Sequence, residues 1–258
     1  MARALVTGGT SGIGVAFVRA LAARGDDVVV VARDTGRMEA IAQELQATFG
    51  VTIATLQADL TVAEDVTRVA DWIEDPANVL DLVVNNAGIG LHAKLLDKDA
   101  LPLQRQAFSL MCWAVLELSG AAGRAMKARG HGHIINVSST SAWIFSGNYS
   151  AIKAWVLSMT QALSIELKGT GVTATALCPG WVHTEFHERA GITSDNLPGI
   201  VWVDQDVLVS EALADAEAGK AISIPTVKWK AAIAVARYGP AGLVRWFSHK
   251  LSSSRHKK

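Results

Sequence analysis

Short apolar runs rich in β-branched residues alternate with longer stretches of helical period along most of this chain. Residues 4–7, 27–32, 52–58, 80–84, 133–137, 171–177 and 221–224 read as strands. Between them, 12–23, 34–49, 63–74, 100–127 and 149–167 have the length and spacing of helices. The segments DVVVVA and LDLVVN are apolar at successive rather than alternate positions. A strand with one face in water alternates; a strand covered by helices on both faces does not. Strand–helix alternation sustained in this way predicts an α/β fold, a doubly wound parallel sheet forming a single domain over residues 1–225. The rhythm is weakest over residues 181–219, which predicts an insertion before the last strand. Residues 226–258 are set apart as a basic amphipathic C-terminal extension.

Half of the 258 residues are hydrophobic and 19% are charged, enough to bury a large core. The formal net charge is zero, which argues against a nucleic-acid partner held by bulk electrostatics. Two cysteines, Cys112 and Cys178, make neither a disulfide framework nor a zinc site and read as buried free thiols. The opening MARALVTGG enters a strand pattern at once and lacks the layout of a signal peptide, so a cytoplasmic protein is expected. The charge is unevenly spread. No acidic residue follows Glu217, while nine Lys/Arg do. Apolar residues interleave with these cations, a pattern that suits either an anionic membrane surface, an acidic partner, or a solvated helix pair.

The chemistry enters with GNYSAIKAW at 147–155. Tyr149 and Lys153 lie four positions apart, on one face of a predicted helix. To trade protons near neutrality a phenol must leave its ordinary pKa of about 10, at a cost of about 4 kcal/mol. One ammonium about 4 Å away, at an effective dielectric near 20, supplies about that much. The same spacing also arises by chance, and on most helices it is a solvated pair of small worth. The first predicted strand runs into TGGTSGIG at 7–14. Glycines at 8, 12 and 14 permit a tight turn and a close approach of backbone amides to a pyrophosphate at a helix start. The second strand ends VVVVARD. Ala32 stands where an acidic residue would bind a ribose 2′-hydroxyl, and Arg33 follows, which favours the 2′-phosphate of NADP(H) over NAD(H). Asp34 is expected to cap the next helix. Asp59 closes the third strand, as an acceptor for an adenine amino group or as a cap for the helix beyond Leu60.

Taken in order, TGGTSGIG at 7–14, ADL at 58–60, NNAG at 85–88, INVSS at 135–139, YSAIK at 149–153 and CPGWVHT at 178–184 resemble the short-chain dehydrogenase/reductase family over essentially residues 2–225. The resemblance implies a Rossmann-like sheet of about seven strands, a bound NAD(P), and hydride transfer between nicotinamide and a carbonyl or alcohol carbon. It implies Tyr149 as general acid/base, Lys153 as the group that lowers its pKa and holds the nicotinamide ribose, and Ser139 as the substrate-oxygen donor. Ser138 stays open as the alternative, because the segment from Ser139 to Tyr149 is about three residues shorter than is common. The same matching assigns the cofactor to Gly8, Thr10, Ser11, Gly12, Ile13 and Gly14, to Arg33, Asp59 and Leu60, and to Asn86, Ala87 and Gly88. It adds Pro179, Gly180, Val182 and Thr184 under the nicotinamide, with Tyr149 and Lys153 on the ribose.

One element departs from the family pattern. Met111 stands where an asparagine usually holds a water linking the lysine to solvent, and a thioether cannot donate a hydrogen bond. Either the relay runs differently, through another water or Ser109, or turnover is lost and the chain is a non-catalytic NADP(H)-binding sensor or structural member. Trp143, Phe145, Trp181, Phe186 and Trp202 fall on the expected substrate side, where 181–219 would cover the substrate. They suit a lipophilic carbonyl or alcohol compound, or in part serve the core. His183 and His187 have no evident third ligand, so no metal is expected. The resemblance further implies a homodimer or homotetramer paired through the fourth and fifth helices.

Overall fold

The computed structural model describes residues 2–91, 93–182 and 199–240, together with 242, 244–246 and 248. The side chain of Ile200 lies outside the described residues. Seven parallel strands form the sheet: β1 (Arg3–Thr7), β2 (Asp27–Ala32), β3 (Ile53–Gln57), β4 (Leu82–Asn85), β5 (Gly132–Val137), β6 (Val172–Leu177) and, after a two-residue ribbon, β9 (Ile222–Ser223). Their order is β3-β2-β1-β4-β5-β6-β9. The chain winds outward from β1 in one direction and, from β4, in the other, so the crevice between β1 and β4 is the topological switch point. The ribbon pairs β7 (Trp181–Val182) with β8 (Trp202–Val203).

Each strand feeds alternate residues to two cores. Leu5, Val29, Val83, Ile134 and Ala174 point to one layer. Ala4, Val6, Val28, Val30, Val84, Ile135 and Leu177 point to the other. This is why the strands are apolar throughout. The first layer is closed by α3 (Ala63–Glu74), α4 (Leu101–Phe108), α5 (Ala114–Arg129) and α6 (Gly147–Glu166). The second is closed by α1 (Gly12–Ala23), α2 (Thr35–Phe49) and α7 (Gln205–Glu217). The last helix described in full is α8 (Val227–Tyr238). No described helix is long and apolar enough to cross a membrane.

Three expectations change. The long helix over 100–127 is broken: α4 passes through a π-helical turn, Ser109–Trp113, before α5. The second half of the 181–219 stretch is not a cover but α7, whose Leu208, Val209, Ala212 and Ala216 are buried against the sheet. Its period was obscured because Asp215 is also buried, its carboxylate accepting from Ser223 Oγ at 2.7 Å and from Lys220 Nζ. Asp59 does not cap the following helix, whose N-cap is Val62. Its Oδ1 instead accepts from the amide and the hydroxyl of Thr61. Asp34 caps α2 as expected, accepting from Arg37 N at 3.0 Å.

Candidate active site

The strands end in a row at the carboxyl edge of the sheet, and the motifs end there with them. At the switch point the turn after β1 has positive φ at Gly8 (65°) and Gly12 (53°), conformations that cost a Cβ-bearing residue dearly. Gly14 is required for a different reason. A Cβ there would overlap the Gly8 carbonyl oxygen and crowd Asn86 Nδ2. Ser11 is the N-cap of α1 and its side chain makes no capping bond, so the first amides of α1 have no partner within the helix. Thr10, Ser11, Gly12 and Ile13 are all half-buried at this mouth. The loop therefore fits a pyrophosphate: it has small residues, a helix start, and amides not consumed by the helix.

The NNAG turn is bound to that loop. Asn86 Nδ2 donates to Thr7 O at 3.0 Å and Gly8 O at 3.3 Å, while the amides of Asn86 and Ala87 donate to Thr7 Oγ1 at 2.9 and 3.0 Å. A Cβ on Gly8 would lie 2.9 Å from Ala87 Cα, so the two turns touch through their backbones. Gly88 is exposed beside them. Below this turn lies a buried polar network that no sequence motif announced. Asn85 and Asn136 are register partners on β4 and β5. Asn85 Nδ2 donates to Asn136 Oδ1 (2.9 Å) and Ser119 Oγ (3.1 Å), and Asn136 Nδ2 donates to Thr160 Oγ1 (3.0 Å). The network ties both strands to α5 and α6, the helix that carries the tyrosine and lysine. Buried networks of this kind favour one arrangement because each broken bond strands a buried polar group.

Beyond the carboxyl end of β2, Arg33 is exposed, its Nη1 3.8 Å from Asp59 Oδ2. Leu60 is buried next to it. Farther along the same edge, β6 leads into buried Cys178 and Pro179, then Gly180 and the buried Val182. A Cβ on Gly180 would fall inside the ring of Trp229 from α8, whose Nε1 donates to Val201 O at 3.1 Å. The C-terminal extension thus buttresses this turn, a role its basic composition concealed. Thr184, with His183, Phe186 and His187, lies outside the described residues.

The pleat sends the two serines of INVSS in different directions. Ser138 is buried and its Oγ donates to Lys153 O at 2.7 Å, tying β5 to α6. Ser139 points the other way, half-buried, as the N-cap of a 3-10 turn over Thr140–Trp143, with its Oγ accepting from Ser141 N at 3.1 Å. Its hydroxyl proton is not used in that bond. Tyr149 and Lys153 share a face of α6, with Lys153 Nζ 5.7 Å from the Tyr149 ring centroid.

Lys153 is the electrostatic centre of the site. Only 5% of it is exposed, and Nζ donates to Val137 O at 2.9 Å. Burial pulls its pKa down to about 8. Its titratable neighbours are Cys112 and Cys178, and burial pushes those thiols up to about 11 and about 12. Near neutral pH both are uncharged. Among the described residues no carboxylate is a titratable neighbour of this ammonium, and at about 6 Å with an effective dielectric near 20 one charge is worth about 3 kcal/mol. Met111 is buried in the π-helical turn, its Sδ 3.3 Å from where a Gly88 Cβ would stand. It packs the turn and offers no proton.

The profile of the short chain dehydrogenase family matches residues 2–195. Galactitol 2-dehydrogenase (L-tagatose-forming) of Cereibacter sphaeroides is 42% identical over 191 residues, covering 71% of this chain and 72% of that protein. A short-chain dehydrogenase from Sphingobium yanoikuyae, solved in complex with NADPH, superposes with a TM-score of 0.82 at 31% identity, over 91% of this chain and 93% of that one. The bulky-bulky ketone specific alcohol dehydrogenase from Comamonas testosteroni superposes with a TM-score of 0.76 at 26% identity, over 98% and 92%. The chain belongs to the short-chain dehydrogenase/reductase family and is an oxidoreductase of alcohol and ketone groups.

Proposed function

We propose that this chain is an NADP(H)-dependent reductase or dehydrogenase for a lipophilic ketone or its alcohol, with Ser139, Tyr149 and Lys153 as its catalytic residues. The observation that carries the reading is the buried Lys153 ammonium on the tyrosine face of α6, 5.7 Å from the Tyr149 ring centroid. When bound, the reduced dinucleotide supplies the hydride for the substrate carbon. In the direction of reduction Tyr149 gives its phenolic proton to the substrate oxygen as that carbon is reduced. Lys153 stabilises the phenolate left behind, and Ser139 donates its hydroxyl proton in a hydrogen bond to the same oxygen. Tyr149 recovers its proton from solvent. The Met111 side chain cannot pass it on, but a π-helical turn shifts amides away from their usual carbonyls and so leaves backbone oxygen to hold a water. With Met111 and the short serine–tyrosine segment in place, Tyr149 and Lys153 still share a face of α6 and Ser139 still caps the turn after β5, and no observation favours a non-catalytic sensor.

The dinucleotide preference rests on Arg33, which would place a guanidinium beside a 2′-phosphate where no acidic side chain ends β2. The lipophilic substrate rests on Trp143 and Phe145 beyond Ser139, and on Trp181 and Trp202, which pack edge to face on the β7–β8 ribbon at 6.0 Å between centroids. A carbonyl panel run in parallel with NADPH and NADH tests both. Oxidation of NADPH with bulky apolar ketones, at least about tenfold faster than of NADH, is expected, and Arg33→Ala should erase that ratio by weakening NADPH alone. Inertness with both dinucleotides across a broad panel would remove the enzyme reading, and a preference for NADH would remove the role of Arg33. A cytoplasmic homo-oligomer paired through the α4–α5 stretch and α6, the fourth and fifth helices expected from the sequence, completes the reading. Leu101, Leu103, Phe108, Trp113 and Leu116 are exposed along this stretch, and a single-chain mass by light scattering would contradict it.

A further inference from the structure

The helix α8 has two apolar faces, and the protein uses one of them. At about 100° per residue, Trp229, Ile233 and Ala236 fall on one side. Ile233 is 5% exposed and Trp229 packs on the sheet core. Val227, Ala231, Ala234, Val235 and Tyr238 fall on the opposite side. Val227 is 79% exposed, Val235 60% and Tyr238 77%. A soluble helix packed on one side carries polar residues on the other; this one carries valine, alanine and tyrosine.

Cations flank the outward stripe. Lys228 lies on one edge, and Lys230 and Arg237 on the other. Lys230 Nζ reaches Glu211 at 3.1 Å and Lys228 Nζ donates to Trp202 O, whereas the Arg237 guanidinium lies over the Tyr238 ring, 5.2 Å from its centroid. The sequence from 218 onward adds no acidic residue and holds nine Lys/Arg in all. Beyond the helix, Trp246 is again exposed. Ser248 Oγ accepts from Phe145 N at 3.0 Å, so this segment returns to the lip that follows Ser139, where Phe145 is exposed too.

We propose that the outward face of α8 docks on an anionic lipid surface. The charge selects an acidic counterpart. The stripe selects a fluid one: it is shallow, built from small side chains, and ends in a tyrosine, whose apolar ring and polar tip suit the headgroup boundary. The proposal goes beyond the reading of the catalytic crevice and does not depend on it, since a protein inert toward every ketone can still bind vesicles.

The test is co-sedimentation of the full chain with vesicles of phosphatidylcholine alone and of phosphatidylcholine mixed with phosphatidylglycerol. Binding to the mixed vesicles should exceed binding to the neutral ones at least about tenfold and fall steeply with added salt. Val235→Glu combined with Tyr238→Glu should lose about as much binding while NADPH oxidation on a water-soluble ketone and the thermal transition stay as in wild type. Failure of the full chain to pellet with the mixed vesicles would overturn the proposal. Undiminished binding by the double variant would overturn it as well, because the basic tail alone would then account for the attraction. A double variant that instead drops to a smaller oligomer in light scattering would show that a second copy of the chain covers this face.

Discussion

Replacing Tyr149 by phenylalanine is expected to lower kcat by about a thousandfold, in the range that a positioned acid/base contributes, while the affinity for NADPH stays within about threefold. The phenol is half-buried at the carboxyl edge of the sheet and its helix is anchored elsewhere, through Thr160 to Asn136 and through the Lys153 carbonyl to Ser138. Removing one oxygen leaves those anchors intact, so the thermal transition should not move. Single-turnover and steady-state rates with calorimetric titration of NADPH separate these quantities. A Tyr149→Phe variant that keeps a tenth or more of wild-type turnover would mean that another group moves the proton.

Lys153→Met should be equally inactive yet leave the dinucleotide-free protein more stable at pH 7, by about 1 to 3 kcal/mol in urea unfolding. The reason is the cost of burying an ammonium whose titratable neighbours among the described residues are two thiols, uncharged near neutral pH. The folded pKa of Lys153, about 8, lies below its ordinary 10.5. Below about pH 8 the side chain is charged in both states and the folded state bears the full cost, roughly 3 kcal/mol. Between about 8 and 10.5 the folded lysine is neutral while the unfolded one still holds its proton, so wild-type stability rises with pH relative to the variant. The gap between the two proteins should therefore close as pH climbs through that window. Methionine keeps the volume and removes the charge, although it also leaves the Val137 carbonyl without its lysine donor. A variant less stable than wild type at pH 7, with a gap independent of pH, would mean that the ammonium is a structural pin rather than a strained catalytic group.

Much of this architecture was legible before any coordinates. A buried parallel strand advertises itself by apolar residues at successive positions, and the strand assignments hold to within two residues at either end. The glycine turn and the NNAG turn were also legible, because a site that admits no Cβ leaves glycine in the sequence and a close turn beside it leaves small residues. Other features depend on register and on tertiary contact, which a single sequence does not carry. That Asn85 faces Asn136 follows from how β4 lies against β5, and nothing in LDLVVN or INVSS states that pairing. Ser138 and Ser139 are chemically identical neighbours, and only the pleat directs one to the Lys153 carbonyl and the other to the amide of Ser141. The π-helical turn at Ser109–Trp113 shifts the hydrogen-bond ladder by one residue without changing the apolar count that marked a continuous helix. The burial of Asp215 in α7 likewise depends on Ser223, which β9 brings to its carboxylate from outside the helix. Trp229 against Gly180 was hidden in a segment whose conspicuous property was its charge.

The account depends on Lys153 keeping the Tyr149 hydroxyl acidic, and this can be read without any substrate. The chain has only two tyrosines, Tyr149 and Tyr238, so Tyr238→Phe leaves one phenol to observe. Its ionisation, followed by ultraviolet difference absorbance in the NADP⁺-bound protein, is expected to show an apparent pKa below about 8, and to return to about 10 or above when Lys153→Met is added. A phenol that titrates near 10 with the lysine in place, or at the same pH with and without it, would contradict the account.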